Sequence, residues 1–123
     1  MCIRDRAGVV TTLITGLNGP QGGIAIDGAG ILYIGQGDYG SALVTYNTVT
    51  GVQGTLSFAP PSPYVPCSTA EGFYGVVVDD IGDVFALDNL CPQIFELKPN
   101  GTYVVDNINP AITQPSRLAV RCV

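Results

Sequence analysis

Residues 22–35 read GGIAIDGAGILYIG, and residues 74–87 read YGVVVDDIGDVFAL. Laid over one another, Gly23 falls on Gly75, Asp27 on Asp79, Gly30 on Gly82 and Tyr33 on Phe85, a spacing of 52 residues (79 − 27). Each copy is a short apolar run, an Asp-to-Gly turn and a second run bearing an aromatic residue, which is the pattern of a tight β-hairpin. A third copy begins as PSRLAVRCV at residues 115–123, where Leu118, Ala119 and Val120 fall under Val76, Val77 and Val78, 42 residues on (120 − 78).

Strand-like runs, those of the hairpins included, recur along the chain. They cover residues 9–15, 23–26, 31–34, 42–46, 55–58, 75–78, 84–87, 94–97, 102–105 and 117–120, rich in Val, Ile, Thr and Tyr and separated by Gly, Pro, Asn and Asp. No stretch has helical periodicity. Four strands per repeat of about 40–50 residues is the signature of propeller blades, and the extra length in the first interval lies in the Pro-rich run APPSPYVPCSTAEG at 59–72. The expected fold is all-β: a partial β-propeller of about two four-stranded blades plus flanking single strands, forming an open arc. Blade boundaries fall near 22–58 and 73–106, within a propeller segment 7–123, with the next blade starting at 115. A leading outer strand at 9–15 and an orphan inner strand at 117–120 complete it. A blade buries its faces only against neighbours, so such a piece alone should be poorly soluble or oligomeric. The partners it needs are the remaining blades of the same polypeptide.

An apolar triplet, an acidic residue, a glycine and an aromatic-bearing strand, as in GGIAIDGAGILYIG, resemble the NHL repeat and its gluconolactonase-like relatives. That resemblance covers nearly all of residues 7–123 and implies a ring of about six blades. It departs from the family pattern at Phe73, where a Pro usually precedes the first strand, and at Arg121, where an Asp is usual. Gluconolactonase-like members imply a divalent metal in the central channel, held by Glu, Asp and Asn, often from a Pro-Asn-Gly run that leads into an inner strand. Here the corresponding runs are PQGG, EGFYG and PSRL, with no Asn. With no histidine in the chain, the commonest general base is also missing. The expectation is an extracellular binding or scaffold module; the alternative is a piece of a lactonase- or lyase-type propeller whose metal site lies largely in other blades. No cofactor is identified, and whether the ligand is a small molecule or a protein is open.

Composition bounds the partners. Charged residues make up 12% of the chain against about 25% in average globular proteins, so much of the surface is expected to meet more protein. The net charge is −5 and the single lysine is Lys98, whereas nucleic-acid binders cluster Lys and Arg; nucleic acid is not an expected partner. The stretch 7–26 is broken by Thr, Asn, Pro, Gln and several glycines, which argues against a membrane span of about 20 apolar residues. Residues 1–6, MCIRDR, match nothing that follows and resemble translated adapter sequence at the ends of gene models from environmental assemblies. The rival reading, a signal peptide with Arg4 and Arg6 ahead of the apolar 7–17, lacks a small-x-small cleavage site after Leu17.

Setting Cys2 aside leaves Cys67, Cys91 and Cys122, with no C-x-x-C spacing for zinc. The blade layout puts residues 17–22, 35–41, 59–72, 88–92 and 108–114 on one face, and the tight turns 27–30, 47–51, 79–82 and 100–101 on the other. Cys67 and Cys91 then share a face and are expected to form a disulfide, pointing to an extracellular or periplasmic location. Cys122 starts a turn on the opposite face and is expected to be unpaired. Asp38, Tyr39, Tyr64, Glu71, Phe73, Asp88 and Asn89 gather on or near the loop-rich face as candidate ligand contacts, beside the plainer reading of solvent-facing loops and aromatics packed beneath them.

Three local signals have structural explanations. Gly35, Gly37 and Gly40 spell G-x-G-x-x-G, but a strand-like run follows where a dinucleotide site needs a helix. Asp79, Asp80 and Asp83 could offer oxygens to calcium, yet the first copy keeps only Asp27, as a turn residue would. Asn100-Gly101-Thr102 is both a hairpin turn and an N-glycosylation sequon.

Overall fold

The computed structural model describes residues 2–4, 8–20, 22–36, 42–57, 72–88, 93–107 and 118–119. Among them every regular element is a strand: β1 (Cys2–Arg4), β2 (Val10–Thr12), β3 (Ile24–Ile26), β4 (Ile31–Gly35), β5 (Ala42–Asn47), β6 (Gln53–Ser57), β7 (Phe73–Val78), β8 (Val84–Asp88), β9 (Gln93–Leu97) and β10 (Tyr103–Asn107). They form two open four-stranded antiparallel sheets, β3-β4-β5-β6 and β7-β8-β9-β10, and one two-stranded ribbon, β1-β2.

Asx turns fix the registers of the two repeated hairpins. The Asp27 carboxylate accepts bonds from the amides of Ala29 at 2.9 Å and Ile31 at 2.8 Å, and Asp79 does the same for Ile81 at 3.1 Å and Asp83 at 2.8 Å. Gly30 and Gly82 close these turns at φ +82° and +90°, a region that L side chains rarely adopt. Asn47 caps the β5–β6 turn through the amides of Val49 and Thr50, both at 2.9 Å. In this way Ala25 comes opposite Tyr33 in the first sheet and Val77 opposite Phe85 in the second.

One apolar core joins the sheets. Leu43 of the first sheet is buried with Phe73, Val76, Val84, Ala86 and Phe95 of the second, and Ala25, Tyr33 and Leu56 pack against them from the first. Phe73 and Phe95 meet edge-to-face, with centroids 5.5 Å apart at 78°. Where β3 and β4 abut β7, backbone touches backbone. The Gly23 amide donates to the Tyr74 carbonyl at 2.9 Å, and the Phe73 amide donates to the Gln36 carbonyl at 3.1 Å. A Cβ at Gly22 or at Gly35 would lie 2.2 Å from the Phe73 carbonyl oxygen, so only glycine permits this approach.

The packing is front to back. A spacing of 52 carries Ala25 and Tyr33 onto Val77 and Phe85, which lie on the side of the second sheet turned away from the first and are half-buried. Conversely, Val76, Val84 and Ala86 correspond to Ile24, Leu32 and Ile34 on the outer side of the first sheet. There a second cluster forms: Ile34 and Val44 are buried with Ile14, and Leu13, Leu17 and Tyr46 pack against them. Through the registers, Val44 and Tyr46 match Phe95 and Leu97. Ile14 thus packs on the outer side of the first sheet much as residues of the first sheet pack on the second.

Two expectations at the ends need correction. The strand expected at 9–15 is a strand only at Val10–Thr12, and its partner is Cys2–Arg4, within the segment read as foreign. Leu118 and Ala119, expected within an inner strand, carry no strand: none of the described strands forms a ladder with them, and an unpaired strand has no backbone partners. The rest of 117–120 lies outside the described residues.

Candidate functional site

Antiparallel order brings Gly35, Ala42, Ser57, Phe73, Asp88 and Gln93 to one end of their sheets, and the tight turns to the other end. Of the candidate ligand contacts, Asp38, Tyr39, Tyr64, Glu71 and Asn89 lie outside the described residues, as do Cys67, Cys91 and Cys122. The structure brings Phe73 and Asp88 together as paired residues of β7 and β8, next to Gln93 of β9. Both are buried, Phe73 to 1% exposure and Asp88 to 3%. Phe73 spends its ring on the core, so at this position the packing role prevails over an open contact. The register shift between Phe73 and Gly75 turns the ring inward. Near the same end, the Asn18 amide donates to the Gln36 side-chain oxygen at 2.8 Å, and Leu17, Pro20, Gly22, Ile24 and Ile34 line an apolar cavity of about 290 Å³.

The turn end holds an ion-paired cluster. Lys98 Nζ bridges Asp83 Oδ2 at 2.7 Å and Glu96 Oε1 at 2.5 Å. Its hydrogen bonds to Asp83 and then Glu96 hold the ammonium protonated, above its ordinary range. Tyr33 donates its hydroxyl to Asp27 Oδ2 at 3.0 Å. Burial first, and that bond to a carboxylate second, push its phenol up to about 12. A cavity of about 410 Å³ opens between the sheets here, bordered by Tyr33, Leu56, Lys98, Pro99 and Tyr103.

The Asp79, Asp80 and Asp83 carboxylates do different work. Asp79 caps the turn, Asp83 is 3% exposed and ion-paired, and Asp80 is exposed. Among the described residues no group of three or more His, Cys, Asp or Glu side chains is placed to hold a metal ion. After Gly35 and the undescribed 37–41, β5 follows, so this G-x-G-x-x-G leads into a strand. Among the described residues no helix is long and apolar enough to cross a membrane. The Asp83–Lys98 pair was missed by sequence reasoning, although the register that sets Val84 against Leu97 puts 83 beside 98. Compared with protein-family models and with curated proteins, the chain matches none.

Proposed function

We propose that the two sheets are consecutive blades of a β-propeller of the NHL type, and that the protein is a secreted binding or scaffold module without catalytic chemistry of its own. The front-to-back packing carries this reading. Each sheet meets its neighbour through repeat-equivalent but opposite faces, which is how blades succeed one another round an axis. Ile14 packed on the outer side of the first sheet adds support, because the segment around Val10–Thr12 then stands as part of a further blade. Blades furnish a rigid frame, and the connections 36–41, 58–72 and 89–92 supply what binds.

The test sets the module against a propeller enzyme. The purified protein is dialysed against Ca²⁺, Mg²⁺ and Zn²⁺ in turn, analysed for bound metal, and assayed on five- and six-membered sugar lactones. Neither stoichiometric metal nor turnover is expected. Stoichiometric metal together with lactone hydrolysis would overturn the module reading in favour of the enzyme.

A further inference from the structure

The turn between β9 and β10 carries a motif that the blade reading leaves unused. Asn100-Gly101-Thr102 is the only Asn-x-Ser/Thr triad in the sequence, and all three residues are exposed. Asn100 Oδ1 accepts two bonds from Thr102, one from its amide at 2.9 Å and one from its hydroxyl at 2.7 Å. The turn itself is closed by backbone, Gly101 amide to Lys98 carbonyl at 2.9 Å and Lys98 amide to Thr102 carbonyl at 2.8 Å. Asn100 Nδ2 is thus left without a protein partner among the described residues, on a side chain whose oxygen is already held by the triad's own hydroxyl. Substitution at that nitrogen breaks no bond of the fold.

From this geometry we infer that Asn100 is an acceptor for an N-linked glycan. The donor class is an oligosaccharide joined through diphosphate to a lipid. Nδ2 forms a bond to the anomeric carbon, the carbon–oxygen bond to the diphosphate breaks, the diphosphate leaves with the electron pair, and one amide proton passes to a base of the transferase. Meeting that donor rests on the extracellular reading; being a competent acceptor does not. The turn lies at the end of its sheet opposite Phe73 and Asp88, so a glycan there keeps the tight-turn end in water.

Two arms of one experiment separate these points. In the first, the folded, purified chain is incubated with a purified oligosaccharyltransferase and its lipid-linked donor. A mass increase of one glycan is expected, absent in Asn100→Gln and Thr102→Ala and retained in Thr102→Ser. Amidase treatment should remove it and leave Asp at position 100, and the modified protein should melt at the same temperature as the unmodified one. Unmodified chain, equal modification of Asn100→Gln, or a marked loss of melting temperature on modification would each overturn the inference. In the second arm, the chain with a cleavable secretion leader is translated with microsomes. Protease-protected chain that carries the glycan supports the inference, and protease-protected chain that stays unmodified overturns it. Failure to enter the microsomes would count against the extracellular reading alone, and the first arm then decides.

Discussion

Replacing Phe73 by Ala separates a packing residue from a ligand contact. The ring is 1% exposed, at the centre of the cluster joining Leu43 to Val76, Val84, Ala86 and Phe95, and it meets Phe95 edge-to-face at 5.5 Å. Truncating a buried Phe to Ala costs about 3–5 kcal/mol in lost transfer energy and cavity, of which the aromatic pair accounts for about 0.5–1.5 kcal/mol. Against a total stability on the order of 5–15 kcal/mol, that is a large share, and for a chain of this size it should lower Tm by roughly 10–20 °C. Urea and thermal denaturation followed by far-ultraviolet circular dichroism would measure it, with Phe95→Ala and the double variant closing a cycle. The coupling between the two rings should be non-zero, because the residues touch. A loss below about 1 kcal/mol, or additive single and double variants, would refute the packing assignment and return Phe73 to the candidate ligand contacts.

Other outcomes follow from the same geometry. Gly35→Ala places a methyl against the Phe73 carbonyl and should cost about 1–3 kcal/mol or more, whereas Gly28→Ala, with open space around it, should stay within about 0.5 kcal/mol; equal effects in denaturation would contradict the close approach of β3 and β4 to β7. The raised phenol of Tyr33 means that the folded state holds its proton more tightly, so stability is fully present below pH about 10 and declines as pH rises toward the folded value of about 12. Tyr33→Phe should flatten that decline, and an unchanged alkaline slope would count against the Asp27 bond. Lys98→Met leaves the buried Asp83 carboxylate without its cation and should destabilise the protein, while Lys98→Met with Asp83→Asn should recover part of the loss; melting curves that show no recovery would argue against the pair. On the loop layout read from the sequence, peptide mapping without reduction should find Cys67 joined to Cys91 and Cys122 free, and reduction should remove roughly 3 kcal/mol on the chain-entropy model; alkylation of all four cysteines in the native protein would defeat the pairing.

What was legible in the sequence was local. Asp27 and Asp79 announced their turns because an Asp followed by Gly at fixed spacing needs no distant partner, and the strands they join began within a residue or two of the expected positions. The outer strand β6 starts two residues early, as β7 does: the run expected at 55–58 begins at Gln53, because pairing with β5 extends it over Gly54, which has little strand propensity of its own. Strand propensity also overreached at Leu118 and Ala119, whose apolar character says nothing about whether a neighbouring strand is present. Phe73 was legible as an aromatic beside a long connection, but its inward turn depends on the register shift before Gly75 and on Phe95, more than twenty positions away. Lys98 could be counted as the sole lysine, yet its role appears only when β8 and β9 are in register and bring it to Asp83.

The way the sheets meet also bears on how such a chain can grow. A two-fold contact between identical faces is self-terminating, because each surface is consumed by its own copy; a contact between unlike faces regenerates, on every added unit, the surface that the next unit needs. Tandem duplication of a segment about 50 residues long, the interval from Asp27 to Asp79, therefore creates a complementary neighbour with no new interface to evolve. At the line of closest approach, Gly22 and Gly35 against Phe73, a side chain would pry these two units apart; the second copy carries Tyr74 and Leu87 at the matching positions, so this close approach belongs to the one junction and is not a rule of the repeat.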